Sequence, residues 1–388
     1  MLGLSLSEIG AVITALGIIL LWYVYDGYGR LLSLLDRRSS PKISSLTNTS
    51  SVSVSVIVPA FNEEENIRVK LDDLLNQDYP QLLEILVVSD GSTDATDDIV
   101  REYRDKRVKL LHTKGREGKS QAQNIAVGQA IGDVLVLTDV AVRMAPGCIA
   151  ALVEPFAKPE VGCSTAHLTF ADDDSADTGE AVSHYWRYEL LLRRLETRLG
   201  WLATASGPAM AIRRSLWQNL EPQYGDDCVL PLDVVLQGYK VVQVEAAKAV
   251  DVHFSDFRRE FRARIRMTVR NWTGTMSRGA LLNPFKYPSY AVALWSHKML
   301  RWLSPVYLLL ILLGLVLLVL GDGSWVPLIG YVILVGYGVL GIFAMARGKD
   351  LPMSSTIASF LLANAGFAVG LFQVARGRLI RIYDNAQA

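Results

Sequence analysis

The sequence predicts an α/β protein, a mostly parallel sheet with helices on both faces, joined to transmembrane α-helices. Strand-like apolar runs alternate with helical stretches from Val54 to Asp139, the pattern of parallel crossovers. Two of those runs end in an acidic residue, Asp90 and Asp139. Four further apolar segments lie outside this region and approach or reach spanning length.

The first is Ile9 to Val24, followed by Asp26, Arg30, Arg37, Arg38 and Lys42. A cleaved signal peptide carries its positive charge ahead of the apolar run. Here it follows, which predicts an uncleaved anchor with its C-terminal side in the cytoplasm, although the run is short enough for an interfacial helix. Ser39 to Ser53 is rich in Ser, Thr and Asn and reads as a linker.

Val54 to Pro59 is a strand closed by its proline, and Ala60-Phe61-Asn62-Glu63-Glu64 leads into a helix through Leu75. Glu84 to Asp94 reads as strand, tight turn at Gly91 and helix start, with the helix running from Ala95 to Tyr103. Ligands of open α/β sheets bind beyond the carboxyl ends of strands, so Asp90 is expected to face one. The plainer reading is that Asp90 and Asp94 shape a turn and cap a helix. Arg107 to Thr113 is a third strand, Gly115 to Lys119 a glycine-and-cation turn, Ser120 to Ala130 a helix and Gly132 to Asp139 a fourth strand.

Asn62, Glu63, Asp90, Lys119 and Asp139 therefore gather at strand ends. Converging carboxylates need a cation, and a divalent ion with a diphosphate ligand supplies one; oxygen ligands suit Mg²⁺ or Mn²⁺. The Gly115–Lys119 turn offers backbone approach and a cation to the same phosphates. Zero net charge argues against a nucleic-acid partner. The three cysteines, Cys148, Cys163 and Cys228, have no metal-like spacing and fit reduced thiols.

With Val58-Pro59-Ala60-Phe61-Asn62-Glu63, Val88 to Asp94, Gly118-Lys119 with Asn124, Ser206-Gly207-Pro208, and Gly225-Asp226-Asp227 with Gly238, the chain resembles the family-2 glycosyltransferases, of the membrane-bound type that includes hyaluronan, chitin and cellulose synthases. The resemblance covers about Val54 to Trp272. It implies a GT-A fold and sugar transfer from a nucleotide donor, most often a UDP-sugar, with inversion. By position, Ala60, Asn62, Glu63, Asp90, Gly91, Lys119, Asp139 and Arg270 would bind the nucleotide sugar. Asp139 matches the first acid of the family's DxD metal motif, but the stretch reads Asp139-Val140-Ala141, and Ala141 cannot ligate.

Further on, Cys148 to Phe156 reads as a helix, Val161 to Phe170 as a strand and Ala171 to Asp177 as a solvated acidic loop. Ala181 to Leu199 is a long helix with Tyr185, Trp186, Tyr188, Arg193 and Arg194; its aromatics either stack on sugars or pack the core. Ser206, Gly207 and Pro208 would line the acceptor side. Gly225-Asp226-Asp227 opens a helix whose dipole is expected to keep Asp227 ionised. By resemblance Asp227 is the general base, with Asp226 beside it; the alternative is two helix caps. In the basic helix from Asp256 to Ser277 the relatives' QxxRW motif is incomplete, since Arg270 and Trp272 are split by Asn271. Arg270 could clamp the diphosphate and Trp272 face the acceptor, or the arginines could meet anionic lipid.

The expected organisation is an anchor (1–28), a linker (29–53), a cytoplasmic GT-A domain (54–278), an interfacial segment (279–302), about three membrane helices (303–376) and a basic tail (377–388). Lys298, Arg301, Arg347 and Lys349 fit a cytoplasmic side, whereas Arg376, Arg378 and Arg381 do not if all four apolar segments span; an interfacial or re-entrant segment would resolve this. The predicted activity is transfer to a saccharide or lipid-linked acceptor at a bacterial inner membrane, in surface polysaccharide synthesis. Single addition to a polyprenyl phosphate or glycolipid, and a non-catalytic membrane scaffold or regulator, remain open.

Overall fold

The computed structural model describes residues 4–37, 52–170, 179–251, 257–345, 347 and 354–380. The expected acidic loop, most of the linker, Arg38, Lys42, Asp256, Lys349 and Arg381 lie outside the described residues. So do the side chains of Tyr185, Arg258 and Arg259.

The chain opens with helix α1 (Leu6–Trp22), a π-helical turn (Tyr23–Gly27) and α2 (Tyr28–Asp36). Ser5 starts it with a capping box: the Glu8 N–H donates to Ser5 Oγ, and the Ser5 N–H donates to the Glu8 carboxylate at 2.7 Å. The expected start of a linker at residue 29 is corrected. Tyr28 and Leu32 are fully buried against Leu192 and Leu195, and that contact keeps the chain helical through Asp36.

The body contains β1 (Val54–Ala60), α3 (Ile67–Leu75), β2 (Leu82–Ser89), α4 (Thr96–Glu102), β3 (Val108–His112), α5 (Lys119–Gln129), β4 (Val134–Thr138), β5 (Val142–Met144) and α6 (Cys148–Val153). It continues with β6 (Val161–Phe170), α7 (Gly179–Leu199), β7 (Ala209–Arg213), α8 (Asp226–Leu236), β8 (Lys240–Asp251) and α9 (Phe257–Ser277). Among the described residues these strands form one eight-stranded sheet in the order β3-β2-β1-β4-β7-β6-β8-β5. The first four strands are parallel, as expected. The second half is mixed: β7 runs antiparallel to β4 and β6, β8 parallel to β6, and β5 antiparallel to β8.

Strand side chains alternate between two cores, as the period of two requires. Val56, Val58, Ile85, Val87 and Val136 face one core, while Ile57, Leu86, Val88, Leu135 and Leu137 face the other. Both faces are covered, so these strands read as continuous apolar runs. Parallel β1, β2 and β4 end side by side, and their next residues form one edge.

Beyond α9 come α10 (Pro288–Leu294), a π-helical turn (Trp295–Met299), α11 (Leu300–Trp302), α12 (Ser304–Asp322), α13 (Trp325–Met345) and α14 (Ser354–Ala375). Among the described residues, four helical stretches are long and apolar enough to cross a membrane: Leu6–Asp36, Ser304–Asp322, Trp325–Met345 and Thr356–Ala375. Helices α1 and α12 run antiparallel in backbone contact. A Cβ on Gly10 would lie 2.7 Å from the Gly314 carbonyl oxygen, and one on Gly321 would lie 2.5 Å from the Ser7 nitrogen.

Helix α14 is seated differently. Its Asn364 accepts a 2.6 Å hydrogen bond from Ser304, at the start of α12. Its C-terminal half then packs along α9 of the body, where a Cβ on Gly370 would come within 2.7 Å of the Thr268 Cβ.

Candidate active site

The sheet edge is built first from its turns. Asn62 adopts a positive φ of 52°, and its side-chain carbonyl accepts from the Thr93 N–H at 2.8 Å, tying the β1 exit to the β2 exit. The Glu63 N–H donates to Thr96 Oγ1 at 2.8 Å. Asp94 accepts from the Thr96 N–H at 3.0 Å and from the Glu64 N–H at 3.1 Å, shaping the turn ahead of α4. Ala60 is buried, and its carbonyl accepts from the Asp90 N–H at 2.8 Å.

Asp90 is buried and braces the neighbouring loop. Its carboxylate accepts from the Glu117 and Gly118 N–H groups at 2.8 Å each and from Thr113 Oγ1 at 3.0 Å. The Gly115–Lys119 turn is thereby held over Gly91, and the Arg116 guanidinium stacks 3.4 Å from the Phe61 ring centroid.

Lys119, the first residue of α5, ends between two acids. Its Nζ lies 2.7 Å from Asp139 Oδ1 and 3.1 Å from Asp226 Oδ2. Burial works against the ammonium charge, but Asp139 and Asp226 outweigh it and hold the Lys119 pKa above the usual lysine range. The same Asp226 oxygen accepts from Gln123 Nε2 at 2.8 Å. Burial disfavours ionisation of Asp226; Lys119, the Gln123 hydrogen bond and Arg270 reverse that and bring its pKa to about 2. Asp227 moves the other way, raised by burial and then by the charge of Asp226. Burial and the charge of Asp226 therefore act on Asp227 against the helix dipole.

The Ser206–Pro208 turn closes on these acids. A Cβ on Gly207 would stand 3.1 Å from the Asp227 Cβ, and the Asp139 N–H donates to the Pro208 carbonyl at 3.3 Å. Gly225 is wedged between Asp227 and Asn271, whose side-chain oxygens would lie 2.7 and 2.6 Å from an added Cβ. Asn271, which splits the Arg-Trp pair in sequence, therefore stands beside Asp227. Arg270 donates to the Tyr224 carbonyl, and its Nε is buried without a hydrogen-bond partner among the described residues. Trp272 does not join this group: its ring packs on Trp302, centroids 6.0 Å apart, beside Met299 and Phe367.

Among the described residues no group of three or more His, Cys, Asp or Glu side chains is arranged to hold a metal ion. Ala141 is buried and apolar, and Asp139 already pairs with Lys119. Asp139 fits as a single hard-oxygen ligand of Mg²⁺ or Mn²⁺, with the remaining ligands coming from a donor's phosphates.

Two residues of this neighbourhood escaped the sequence reading. Gln123 lies four residues after Lys119, hence on the same helix face, a spacing that could have pointed to it. Lys70 is fully buried behind the Asp139–Ala141 turn, donating to Thr138 Oγ1 at 2.9 Å and to the Val142 carbonyl at 2.7 Å. Burial lowers its pKa to about 8, and nothing in its helix sequence announces this.

An α/β sheet of this order with acids at the ends of β2 and β4 defines a GT-A fold of the nucleotide-diphospho-sugar transferase type. Residues 55–220 match the model of Glycosyl transferase family 2, and this segment is similar to that family. The chain is 32% identical over 176 residues to an N-acetylglucosaminyltransferase of Rhizobium meliloti (strain 1021), covering 44% of this chain and 41% of the relative. It is 44% identical over 92 residues to the probable glycosyltransferase YdaM of Bacillus subtilis (strain 168), 22% of either chain. The chain thus spans less than half the length of these curated relatives. Among solved structures it resembles the mannosyltransferase PcManGT from Pyrobaculum calidifontis, in complex with GDP-Man and Mn²⁺. That match has a TM-score of 0.68 at 22% identity and covers 92% of this chain and 99% of that one, a likeness of fold.

Proposed function

We propose that residues 54–278 transfer a sugar from a nucleotide diphosphate donor to an acceptor hydroxyl with inversion, at the cytoplasmic face of a membrane. The observation that carries this reading is the opposed pair on α8: Asp226 ionised on Lys119, and Asp227 held as a weak acid beside the Ser206–Pro208 turn. In a single displacement the acceptor oxygen bonds to the anomeric carbon while the bond to the diphosphate breaks. Asp227 takes the acceptor's proton as that bond forms. Lys119 and Arg270 face the developing negative charge of the leaving group. A divalent metal bound at Asp139 would supply further neutralisation of the phosphates.

UDP-N-acetylglucosamine is the first donor to test, because the rhizobial relative carries N-acetylglucosaminyltransferase activity in its name. The four apolar helices support membrane association, and Arg30, Arg37, Lys298 and Arg301 support a cytoplasmic body, here assigned to a bacterial inner membrane. A second reading, single addition to a lipid-linked acceptor, is favoured by Trp272 packing on Trp302 rather than lining the site. Membranes containing the full chain, incubated with a panel of radiolabelled nucleotide sugars, should transfer label to lipid-extractable or polymeric product. Hydrolysis only, or no consumption of any donor, overturns the proposal.

A further inference from the structure

Glu189 on α7 is 1% exposed, yet four basic side chains converge on its carboxylate. Arg193 Nε lies 3.0 Å away, His297 Nε2 3.0 Å, Lys298 Nζ 2.8 Å and Arg301 Nη1 2.8 Å. One turn or more along α7, Glu196 accepts from the Tyr28 hydroxyl at 3.0 Å and meets His297 Nδ1 at 2.9 Å. Both ring nitrogens of His297 thus face carboxylate oxygens, one of Glu189 and one of Glu196. Three pieces of chain meet here: the N-terminal helix through Tyr28, the 295–302 segment through His297, Lys298 and Arg301, and α7.

Buried ions of this kind are a costly way to stabilise a fold, and their better-attested use is to fix one geometry. The geometry fixed here leads to the acceptor-side turn. Arg193 binds Glu189 with one edge of its guanidinium, and its Nη1 donates to Ser206 Oγ. Ser206 is buried, and its N–H donates to Thr165 Oγ1 at 2.8 Å. Next in the turn, Gly207 packs on Asp227 and Pro208 accepts from the Asp139 N–H. The Ala205 N–H donates to the Asp227 carbonyl at 3.3 Å. A planar fork can serve Glu189 and Ser206 together; an ammonium at the same place presents one point of charge and no fixed second direction.

We propose that Arg193 is a positioning residue for transfer, holding the Ser206–Pro208 turn against Asp227, and that Glu189 ties this hold to the seating of the 295–302 segment. The inference rests on the transferase reading above and deepens it. It assigns to a buried arginine, outside every sequence motif, control over where the acceptor hydroxyl meets its base. His297, Lys298 and Arg301 then act at a distance from the reacting atoms, through Glu189.

The test is a double-mutant cycle on the full chain in membranes, with Arg193→Lys, Ser206→Ala and the double variant. Turnover, donor affinity (nucleotide diphosphate by calorimetry) and thermal unfolding are measured for each. Each single variant should lower kcat by about tenfold to a hundredfold, the scale of a small misplacement of reacting groups. Donor affinity should stay within about twofold, and the double variant should be no slower than the worse single one. Multiplying effects in the double variant, or wild-type kcat in Arg193→Lys, overturn the proposal. So does a loss of donor binding and folding in step with turnover, which marks a purely structural arginine. If Arg193→Lys does not fold, Ser206→Ala decides alone: unchanged kcat is fatal to the idea. A wild-type chain that transfers no sugar defeats the transferase reading itself, an outcome distinct from active wild type with insensitive variants.

Discussion

Asp226 and Asp227 are adjacent on the first turn of α8, and their carboxyls are driven in opposite directions. Asp226 is held at a pKa of about 2 against Lys119 and Gln123, while Asp227 is raised by its burial and by the charge of Asp226. The protein thus sets two neighbouring carboxyls apart in acidity, the separation expected of two carboxyls with different tasks.

If Asp227 is the base, Asp227→Asn should cut kcat by about 10²-fold to 10⁴-fold while nucleotide affinity holds, because the amide keeps the shape but accepts no proton. The pH profile follows with a definite sign. Only ionised Asp227 is active, and its pKa is raised, so the acid limb of kcat/KM should fall above the ordinary carboxylate range. Asp226→Asn removes one of the two raising causes, and the limb should move to lower pH even though overall activity drops. A limb that stays in place, or near-normal turnover in Asp227→Asn, contradicts the assignment.

Lys119 occupies the Asp139 carboxylate, and Ala141 offers no second acid. Mn²⁺ should therefore bind weakly by itself and more tightly once a nucleotide diphosphate completes the oxygen shell. Lys119→Met leaves Asp139 and Asp226 without their shared cation, so it should strengthen metal binding in the absence of nucleotide while weakening nucleotide binding. Calorimetric titrations of both proteins, with and without nucleotide, read this directly. Equal and tight Mn²⁺ binding by the wild type in both cases would defeat the arrangement, as would full turnover in chelator.

The parallel half of the sheet was legible because both faces of β1, β2 and β4 are buried, leaving unbroken apolar runs that stop at Pro59, Asp90 and Asp139. In the mixed half β6 was legible as Val161–Phe170, but β5 and β8 were not: β5 is three residues long, and β8 alternates exposed Glu245, Ala246 and Lys248 with buried Ala247 and Ala249, a pattern that names no partner. Asp226, Asp227, Asp139 and Lys119 stood out as charges beside turns. Lys70, Glu189 and His297 did not, and Arg193 was named only as one residue of a long helix, because a charged residue on a helix reads as solvated until the packing shows it buried. Asn124 drew notice within a motif, yet it brackets Leu220 with two 2.9 Å hydrogen bonds, a structural task.

The seating of α14 carries the last prediction. If every apolar helix crossed the bilayer, Arg376 and Arg378 would emerge opposite the catalytic body, against the usual bias of positive charge. The packing offers another path. Asn364 is level with Ser304 at the start of α12, and from Gly366 onward α14 lies along α9, with Gly366 and Gly370 giving backbone contact to Arg264 and Thr268. Its C-terminal end should therefore lie on the side of the body, whereas the turn between α12 and α13 should lie on the far side. Cysteines introduced at Arg378→Cys and Ser324→Cys test both ends. In intact cells a membrane-impermeant maleimide should modify residue 324 and leave residue 378 untouched until lysis. Native Cys163 is fully buried with its thiol pushed up to about 12, so it should react only after denaturation. Gly370→Leu should separate α14 from α9 and destabilise the protein by about 1–3 kcal/mol, the usual cost of overpacking. Labelling of residue 378 in intact cells would mean that α14 crosses completely, and the contact with α9 could not then form.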